Sequence, residues 1–591
     1  MADDKKLTQN AGETTTADIF STKHFLQVPF FQRYYRWEPA KIARFQDDVL
    51  GVVDRPDDAH FLGAIITALR PKPSNVHPNL VEVIDGQQRL TTVYIHLCAV
   101  VHELLERDLF GEASELFLSC VVQYPYSGQL SNVRLHSAGK DRQAINEMVD
   151  GLLQHKRFQD EHLPSEFKLK KLPTVSGASG SKSKVAPNFR LAKIWLKAQV
   201  AEYGIERVRE IREALLGNLT VVDILVTSPA QGPRIFNSLN SKQEPMSTGD
   251  LVRNDVFSRL ADSDVSELEA LDEEHWSPFY KRFDVDQKID PLFDGYFFPF
   301  GLIRNPQATT ATVYQGLLRD WQGKTPIQVI AELTVYQDAY LALASSRPLE
   351  SGPKNLEAAM KKLVDARTPS SIYPFAMRLV VEAQSGGDGD IAVAVQILDL
   401  LQAFLVRRGL TGKEPTGLHA VFKKLWADLQ DDVTPARVAK EIAKHKTVER
   451  PTDALLAQQI PTRNAYSMKI TPFVLREYDL SLQGDDVGMP ADIEHVLPQN
   501  PDKGWDSFSK EDRVALTHTL ANLIPLTTKM NSAASNDSYD AKRLRFKTSA
   551  FKTPRALAED YVIWTPADLA HRAQRLTEWA LERWPDPFAA E

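Results

Sequence analysis

The chain has 591 residues, 43% hydrophobic and 25% charged, with a formal net charge of −8, an ordinary soluble globular balance whose length suits two to four domains. With only Cys98 and Cys120, a disulfide scaffold and a cysteine zinc site are both excluded. The acidic balance argues against a protein that coats DNA with its whole surface, while leaving room for local basic patches.

Residues 1–17 read as a flexible lead without the apolar core of a signal peptide. No apolar run in the chain approaches the roughly 18 residues of a membrane span, so no membrane and a cytoplasmic location are expected. Residues 28–37 are dense in aromatics and arginines and are bracketed by Pro29 and Pro39, which favour an extended or turning path. Gln32 and Arg33 can reach a nucleotide or phosphate there, and Trp37 can stack on a base. The plainer alternative, a hydrophobic clasp with arginines over aromatic faces, suits Tyr34 and Trp37 better than Arg33. A helix over 41–53 and a buried strand over 61–69 follow.

Residues 81–84 predict a short strand, Asp85-Gly86 a turn, and Leu90, Val93, Tyr94, Leu97, Val101, Leu104 and Leu105 a long amphipathic helix. A strand turning sharply into a helix leaves N–H groups facing out of the first turn, an anion site. Arg89 adds a donor fork suited to phosphate, and Gln87, Gln88, Thr91 and Thr92 add neutral donors and acceptors. A polar turn capped by threonine, with Arg89 in a surface ion pair, accounts for the same residues, and local chemistry alone leaves both readings open.

The succession Pro29-Phe30-Phe31-Gln32-Arg33-Tyr34-Tyr35-Arg36-Trp37, a strand with Phe61-Leu62-Gly63, and Ile84-Asp85-Gly86-Gln87-Gln88-Arg89-Leu90-Thr91-Thr92 resembles one family. It is similar to the ParB-like, nucleotide-hydrolysing domain of GmrSD-type modification-dependent restriction enzymes. Defence nucleases that sense phosphorothioate DNA or accompany BREX systems are related. The resemblance implies a nucleoside triphosphate held by Gln32, Arg33, Asp85, Gly86, Gln87, Gln88, Arg89 and Thr91, with Asp85 and Arg89 serving its hydrolysis. The family's second signature reads Ile235-Phe236-Asn237-Ser238-Leu239-Asn240, then Asp250-Leu251-Val252-Arg253-Asn254-Asp255, after a strand over 219–226. From the residues alone, Asn240 and Asp250 serve as helix caps; the resemblance implies that they, with Asn254, face the nucleotide. The family's glycine after the asparagine is missing from Ser241-Lys242-Gln243-Glu244-Pro245. The Gly/Ser-rich stretch 176–184, with Lys168, Lys170 and Lys171 before it, reads as a solvated loop.

Residues 266–447 show helical periodicity and no catalytic constellation. After a loop over 385–390, a helix over 391–408 ends in Arg407-Arg408-Gly409, arginines that complement the helix dipole before a glycine stop. The second informative stretch is Asp492-Ile493-Glu494-His495-Val496-Leu497-Pro498, a short strand with Glu494 and His495 on opposite faces. Asn522-Leu523-Ile524-Pro525, Lys529-Met530-Asn531 and a helix through Tyr539, Lys542, Leu544 and Phe546 come later. Such a set suits phosphodiester hydrolysis: a neutral histidine takes a proton from water, and a carboxylate and an asparagine oxygen are hard ligands for one Mg²⁺ or Mn²⁺.

This order is similar to the ββα-metal (HNH) nuclease that accompanies the N-terminal domain in the same family. The resemblance implies His495 as general base, Asn522 as the residue that holds the loop or orients His495, and Glu494 and Asn531 as metal ligands. His518 and Lys542 match further family positions. Ala521 stands in place of a glycine, and Glu494 in place of the commoner aspartate. The basic run Lys542, Arg543, Arg545 and Lys547, continued by Lys552 and Arg555, is by default a solvated helix face; beside a nuclease motif it is a candidate DNA-backbone contact.

The expected fold is α+β and predominantly helical. A ParB/sulfiredoxin-like α/β domain over 1–260 is followed by a helical scaffold over 261–447 and an HNH-type nuclease domain embedded in helices over 448–591. The expected function is a type IV-like anti-phage restriction protein in which nucleotide binding and hydrolysis regulate a Mg²⁺-dependent endonuclease acting on modified double-stranded phage DNA, such as DNA with glucosylated hydroxymethylcytosine. A phosphorothioate-sensing nicking enzyme and a non-cleaving nucleotide switch that binds nucleic acid are the alternatives, and a homodimer is compatible with each.

Overall fold

Among the described residues, runs rich in β-branched residues become strands in the N-terminal half and in one late hairpin, and helix makes up 63%, as an α+β chain of mainly helical character requires. The computed structural model describes residues 8–21, 25–29, 32, 34–70, 80–123, 132–137, 139–156, 158, 183–226, 247–260, 265–286, 289–413, 415–430, 432–483, 486–501, 504–534 and 536–589. The chain divides into two compact units, Met1–Ile289 with Gly323–Ile330, and Asp290–Gln322 with Ala331–Glu591.

In the first unit the strands are β1 (Thr8–Thr15), β2 (Phe25–Gln27), β3 (His60–Arg70), β4 (Leu80–Asp85), β5 (Val122–Gln123), β6 (Asn132–Val133), β7 (Leu135–His136) and β8 (Leu219–Val226). Six of them form a mixed sheet in the order β1-β8-β3-β4-β2-β7, while β5 and β6 pair separately. β3 runs parallel to β8 and antiparallel to β4, so β4 delivers Asp85 opposite Ile66. Ile65, Val83 and Val221 turn into the main core, and Ile66, Ala68, Ile84, Ile224 and Val226 form a second apolar cluster. Apolar residues on both faces explain why β3 and β8 read as continuous hydrophobic runs rather than as alternation. Phe61, inside the strand expected to be buried, is 56% exposed.

Helices α1 (Pro39–Val53), α2 (Gln87–Glu106), α3 (Val185–Tyr203) and α4 (Thr248–Ser258) complete the site-bearing part of this unit. α2 corrects an expectation. It is not amphipathic: Gln87, Gln88, Thr91, Thr92, His96 and Glu103 are buried together with its apolar side chains. It is a central helix, packed against α3 and the helix Phe110–Leu116. α4 is capped by the Ser247 hydroxyl, which accepts from the Asp250 backbone N–H at 3.1 Å. Asp250 is therefore not the cap that its position at the helix start suggested.

The second unit is a helical array around α5 (Asp388–Leu410), followed by the antiparallel hairpin β9 (Asp492–His495) and β10 (Leu523–Leu526), then α6 (Thr528–Ala534), α7 (Tyr539–Phe546) and α8 (Pro566–Arg583). α5 has the length and apolarity to cross a membrane, and half of its apolar window is buried inside the protein. Its end differs from expectation. Gly409 lies within the helix, and Arg407 is fully buried, donating to the Pro451 and Trp584 carbonyls and to Asp453 at 2.7–3.0 Å. Arg407 is a strut, not a dipole complement in solvent.

Candidate functional site

The β4–α2 turn depends on one glycine. Gly86 sits at φ +93, where a Cβ would stand 2.5 Å from Ile65 Cγ2, so the turn admits no side chain. Its tightness starts α2 directly after Asp85 and aims the helix's first N–H groups out of the sheet end. Arg89 reaches back from the helix to Asp85 at 3.3 Å and to the Leu62 carbonyl at 3.1 Å. Burial lowers the Arg89 pKa and the Asp85 carboxylate opposes that. Its donor fork thus serves the protein, in a partly buried ion pair.

The glutamines knit the turn to the extended segment after β2. Gln32 donates to the Ile84 carbonyl at 2.8 Å and accepts from Gln87 at 3.2 Å. Gln88 accepts from the Arg36 backbone N–H at 2.8 Å and donates to the Tyr34 carbonyl at 3.0 Å. Arg36 in turn lies 3.7 Å from Asp250 on α4. The buried Arg253 donates to the Gln32 carbonyl at 3.3 Å and stacks over the Tyr34 ring at 4.8 Å. Beside this network a shallow cleft with room for about one water is lined by Val28, Gln32, Tyr34, Tyr35, Gln87, Gln88, Thr91, Ser137 and Asp141. Among the expected pocket residues, Gln32, Gln87, Gln88 and Thr91 line the cleft, and Arg36 links Asp250 to Gln88. Arg33 and Asn240 lie outside the described residues. Trp37 packs edge-on to Phe45 at 6.3 Å, as a hydrophobic clasp would place it.

In the second unit, β9 ends in Glu494 and His495, paired with Ile524 and Leu523 of β10. His495 is 5% exposed. Its Nε2 lies 3.1 Å from His518 Nδ1, and its Nδ1 lies 3.4 Å from the Gln499 amide. Burial first, then His518, then Lys542 hold its pKa down to about 4, so His495 is neutral near pH 7. The adjacent Glu494 is bound to Lys542 at 2.5 Å, and the same ammonium donates to the His495 carbonyl at 2.8 Å. Lys542 is wholly buried, which removes it from the exposed DNA-facing run in which it was expected. Arg543 donates to the Ala558 carbonyl at 2.7 Å and Arg545 pairs with Asp537 at 2.5 Å; Lys547 is exposed.

Asn522 is buried and spends its amide on backbone: it accepts from Leu497 N at 2.8 Å and donates to the Leu497 and Thr517 carbonyls at 2.9 and 2.7 Å. It ties the strand after His495 to the loop carrying His518. From α8, the buried Arg572 donates to the carbonyls of Ala521 and Leu523 on either side of Asn522, with burial drawing its pKa down to about 10.

Two family models match the chain: the N-terminal domain of GmrSD restriction endonuclease over residues 16–257 and the C-terminal domain of GmrSD restriction endonucleases over residues 443–579. The chain belongs to the GmrSD restriction endonuclease family. None of the curated proteins compared with it matches. The GmrSD N-terminal match contains the Asp85–Arg89 turn, its cleft and α4, and the GmrSD C-terminal match contains the β9–β10 hairpin, α6, α7 and Arg572.

A divalent cation suits one donor here better than another. Asn531 Oδ1 on α6 is shut off from solvent and accepts no hydrogen bond among the described residues, the condition of an oxygen that a cation would satisfy. Glu494 is committed to Lys542. No group of three or more His, Cys, Asp or Glu side chains is arranged to hold a metal among the described residues. A bound ion would therefore take most of its oxygens from phosphate and water. Sequence reasoning missed Tyr466, whose ring centroid is 4.4 Å from that of His495, and Asp141, which accepts from Tyr35 N at 2.5 Å and Ser183 at 2.6 Å in the cleft. Neither sits in a motif; both are brought to their sites by chain distant in sequence.

Proposed function

We propose that this family member is a nucleotide-regulated endonuclease acting on modified double-stranded phage DNA. On this reading the β-sheet unit is a ParB-like control domain, and β9, β10 and α6 are a ββα-metal (HNH) nuclease hairpin. The observation that carries it is the buried, neutral His495 hydrogen-bonded to the half-exposed His518. His495 accepts the proton of the attacking water, with His518 keeping its ring in place and offering the solvent-facing edge of the pair. Lys542 and Glu494 fix the strand end that carries His495, and Asn522 fixes the loop that carries His518. Asn531 Oδ1 would hold Mg²⁺ or Mn²⁺, which supplies neutralisation of charge on the scissile phosphate.

In the other unit a nucleoside triphosphate would lie with its phosphates against the first turn of α2, near Thr91. Asp85 and Arg89 would act on it once the nucleotide competes for the Arg89 fork. Gln32 and Gln88 would then report occupancy to the segment held by Arg36 and Asp250.

The test is to incubate the purified full-length chain with Mg²⁺, each nucleoside triphosphate in turn, and modified or plain plasmid. Cleavage confined to modified DNA and altered by a nucleotide is expected, and His495→Ala should abolish cleavage while NTP hydrolysis continues. Loss of both activities in that variant contradicts the division of labour. DNA binding without any cleavage would make the protein a nucleotide switch instead.

A further inference from the structure

The loop that covers the histidine pair is assigned no role by the family motifs. It joins the helices Asp453–Gln459 and Thr471–Ser481. Its backbone is pinned beside the active strand: Ala465 N and Tyr466 N both donate to the His518 carbonyl, at 2.8 and 3.3 Å, and Asn464 forms a β-bridge with Thr519. The Tyr466 ring lies against both imidazoles, 4.4 Å from His495 and 5.8 Å from His518 between centroids, and is 24° from parallel with the latter. Even so, Tyr466 is 43% exposed, and its hydroxyl makes no hydrogen bond among the described residues. The ring is held while its donor stays free. Three residues on, Lys469 is exposed and enters no ion pair among the described residues.

On α7, by contrast, Lys542 is buried and Arg543 and Arg545 are occupied within the protein. A protein of net charge −8 must meet DNA through local donors; Lys529 and Lys547 are exposed elsewhere in this half, and the loop adds an exposed ammonium together with a hydroxyl held against the histidines. An aromatic ring fixed by its neighbours presents its hydroxyl without losing rotamer freedom on binding, which suits a phosphate contact.

We infer that the loop from Asn464 to Lys469 is the DNA-backbone contact of the nuclease site, with the Tyr466 hydroxyl and the Lys469 ammonium as its phosphate donors. The inference rests on the nuclease reading for its setting, but binding alone tests it. A short fluorescein-labelled plain duplex is titrated with full-length protein in EDTA across a range of salt, reading anisotropy. Tyr466→Phe, which keeps the ring, should weaken binding about tenfold to a hundredfold, the range of one hydrogen bond to a charged group. Lys469→Ala should reduce the slope of log K against log salt by about 0.9, one phosphate contact fewer. In the cleavage assay with Mg²⁺, Tyr466→Phe should raise KM more than it lowers kcat. Wild-type affinity and salt slope in both variants would overturn the inference, whether or not the protein cuts. Weakened binding in a wild-type protein that never cuts would uphold it while removing the nuclease reading.

Discussion

Replacing Lys542 by methionine separates a buried strut from a DNA contact. Its ammonium is 2.5 Å from Glu494 and 2.8 Å from the His495 carbonyl, with no exposed side-chain surface. Burial raises the Glu494 pKa and Lys542 opposes it; burial lowers the Lys542 pKa and Glu494 opposes that. Each ion is therefore tolerated inside because of the other. Lys542→Met leaves a buried carboxylate and a carbonyl without their donor, a loss of about 3–5 kcal/mol for breaking a buried pair from one side. At about 2 °C per kcal/mol for a large unit, its transition should fall by roughly 6–10 °C. Differential scanning calorimetry of the full-length chain reads that shift. The double variant Glu494→Gln with Lys542→Met removes both charges and should recover part of it. A single variant that melts within about 1 °C of wild type and binds duplex DNA tenfold more weakly would refute the reasoning, because an exposed phosphate contact behaves that way.

Gly86→Ala should destabilise the first unit by about 1–3 kcal/mol, since the new Cβ meets Ile65 in a left-handed backbone, and should abolish NTP turnover; unchanged melting and turnover would show that the turn is not the tight junction described. His96 supplies a pH dependence. Its Nδ1–H faces the Thr92 carbonyl at 2.8 Å and its Nε2 faces Gln46 at 3.2 Å, and burial holds its pKa down to about 4. The unfolded chain takes up the proton from about pH 6.5 downward while the native chain does not. Its contribution to stability is thus intact above about pH 6.5 and erodes by about 3 kcal/mol as pH falls towards 4. Urea midpoints of wild type and His96→Gln across that range should diverge accordingly, and parallel curves would reject the assignment.

Local pattern carried much of the fold. The strand expected over 219–226 is β8 to the residue, because five of the eight residues after Asn218 are β-branched. The helix after Asp85 was legible as well, but not its surroundings. The partners that bury Gln87, Gln88 and His96 are Gln32, Tyr34, Arg36 and Gln46, some fifty residues earlier, so hydrophobic period alone made α2 look half-exposed. Arg407 and Lys542 were misread for the same reason. A basic residue near a helix end looks solvated until a carbonyl or carboxylate from elsewhere is folded onto it, here from Trp584 and Glu494. Within the candidate sites, sequence located His495, Asn522 and the Asp85–Arg89 turn. It could not show that Arg89 is engaged by Leu62, or that Tyr466 closes over the histidines, since both depend on loop geometry rather than residue order.

The reach of Arg572 bears on how the protein is made. Its guanidinium grips the carbonyls of Ala521 and Leu523 from a helix that begins only at Pro566. A ribosome has therefore already released β9, His495 and Asn522 before the residue that secures their loop is synthesised. Until that last helix folds back, the carbonyls around Asn522 lack their donor and the histidine pair lacks a rigid floor. A prematurely terminated chain would carry every residue of the cutting motif yet hold it loosely. The order of synthesis thus leaves the loop around Asn522 without its Arg572 donor until α8 is in place.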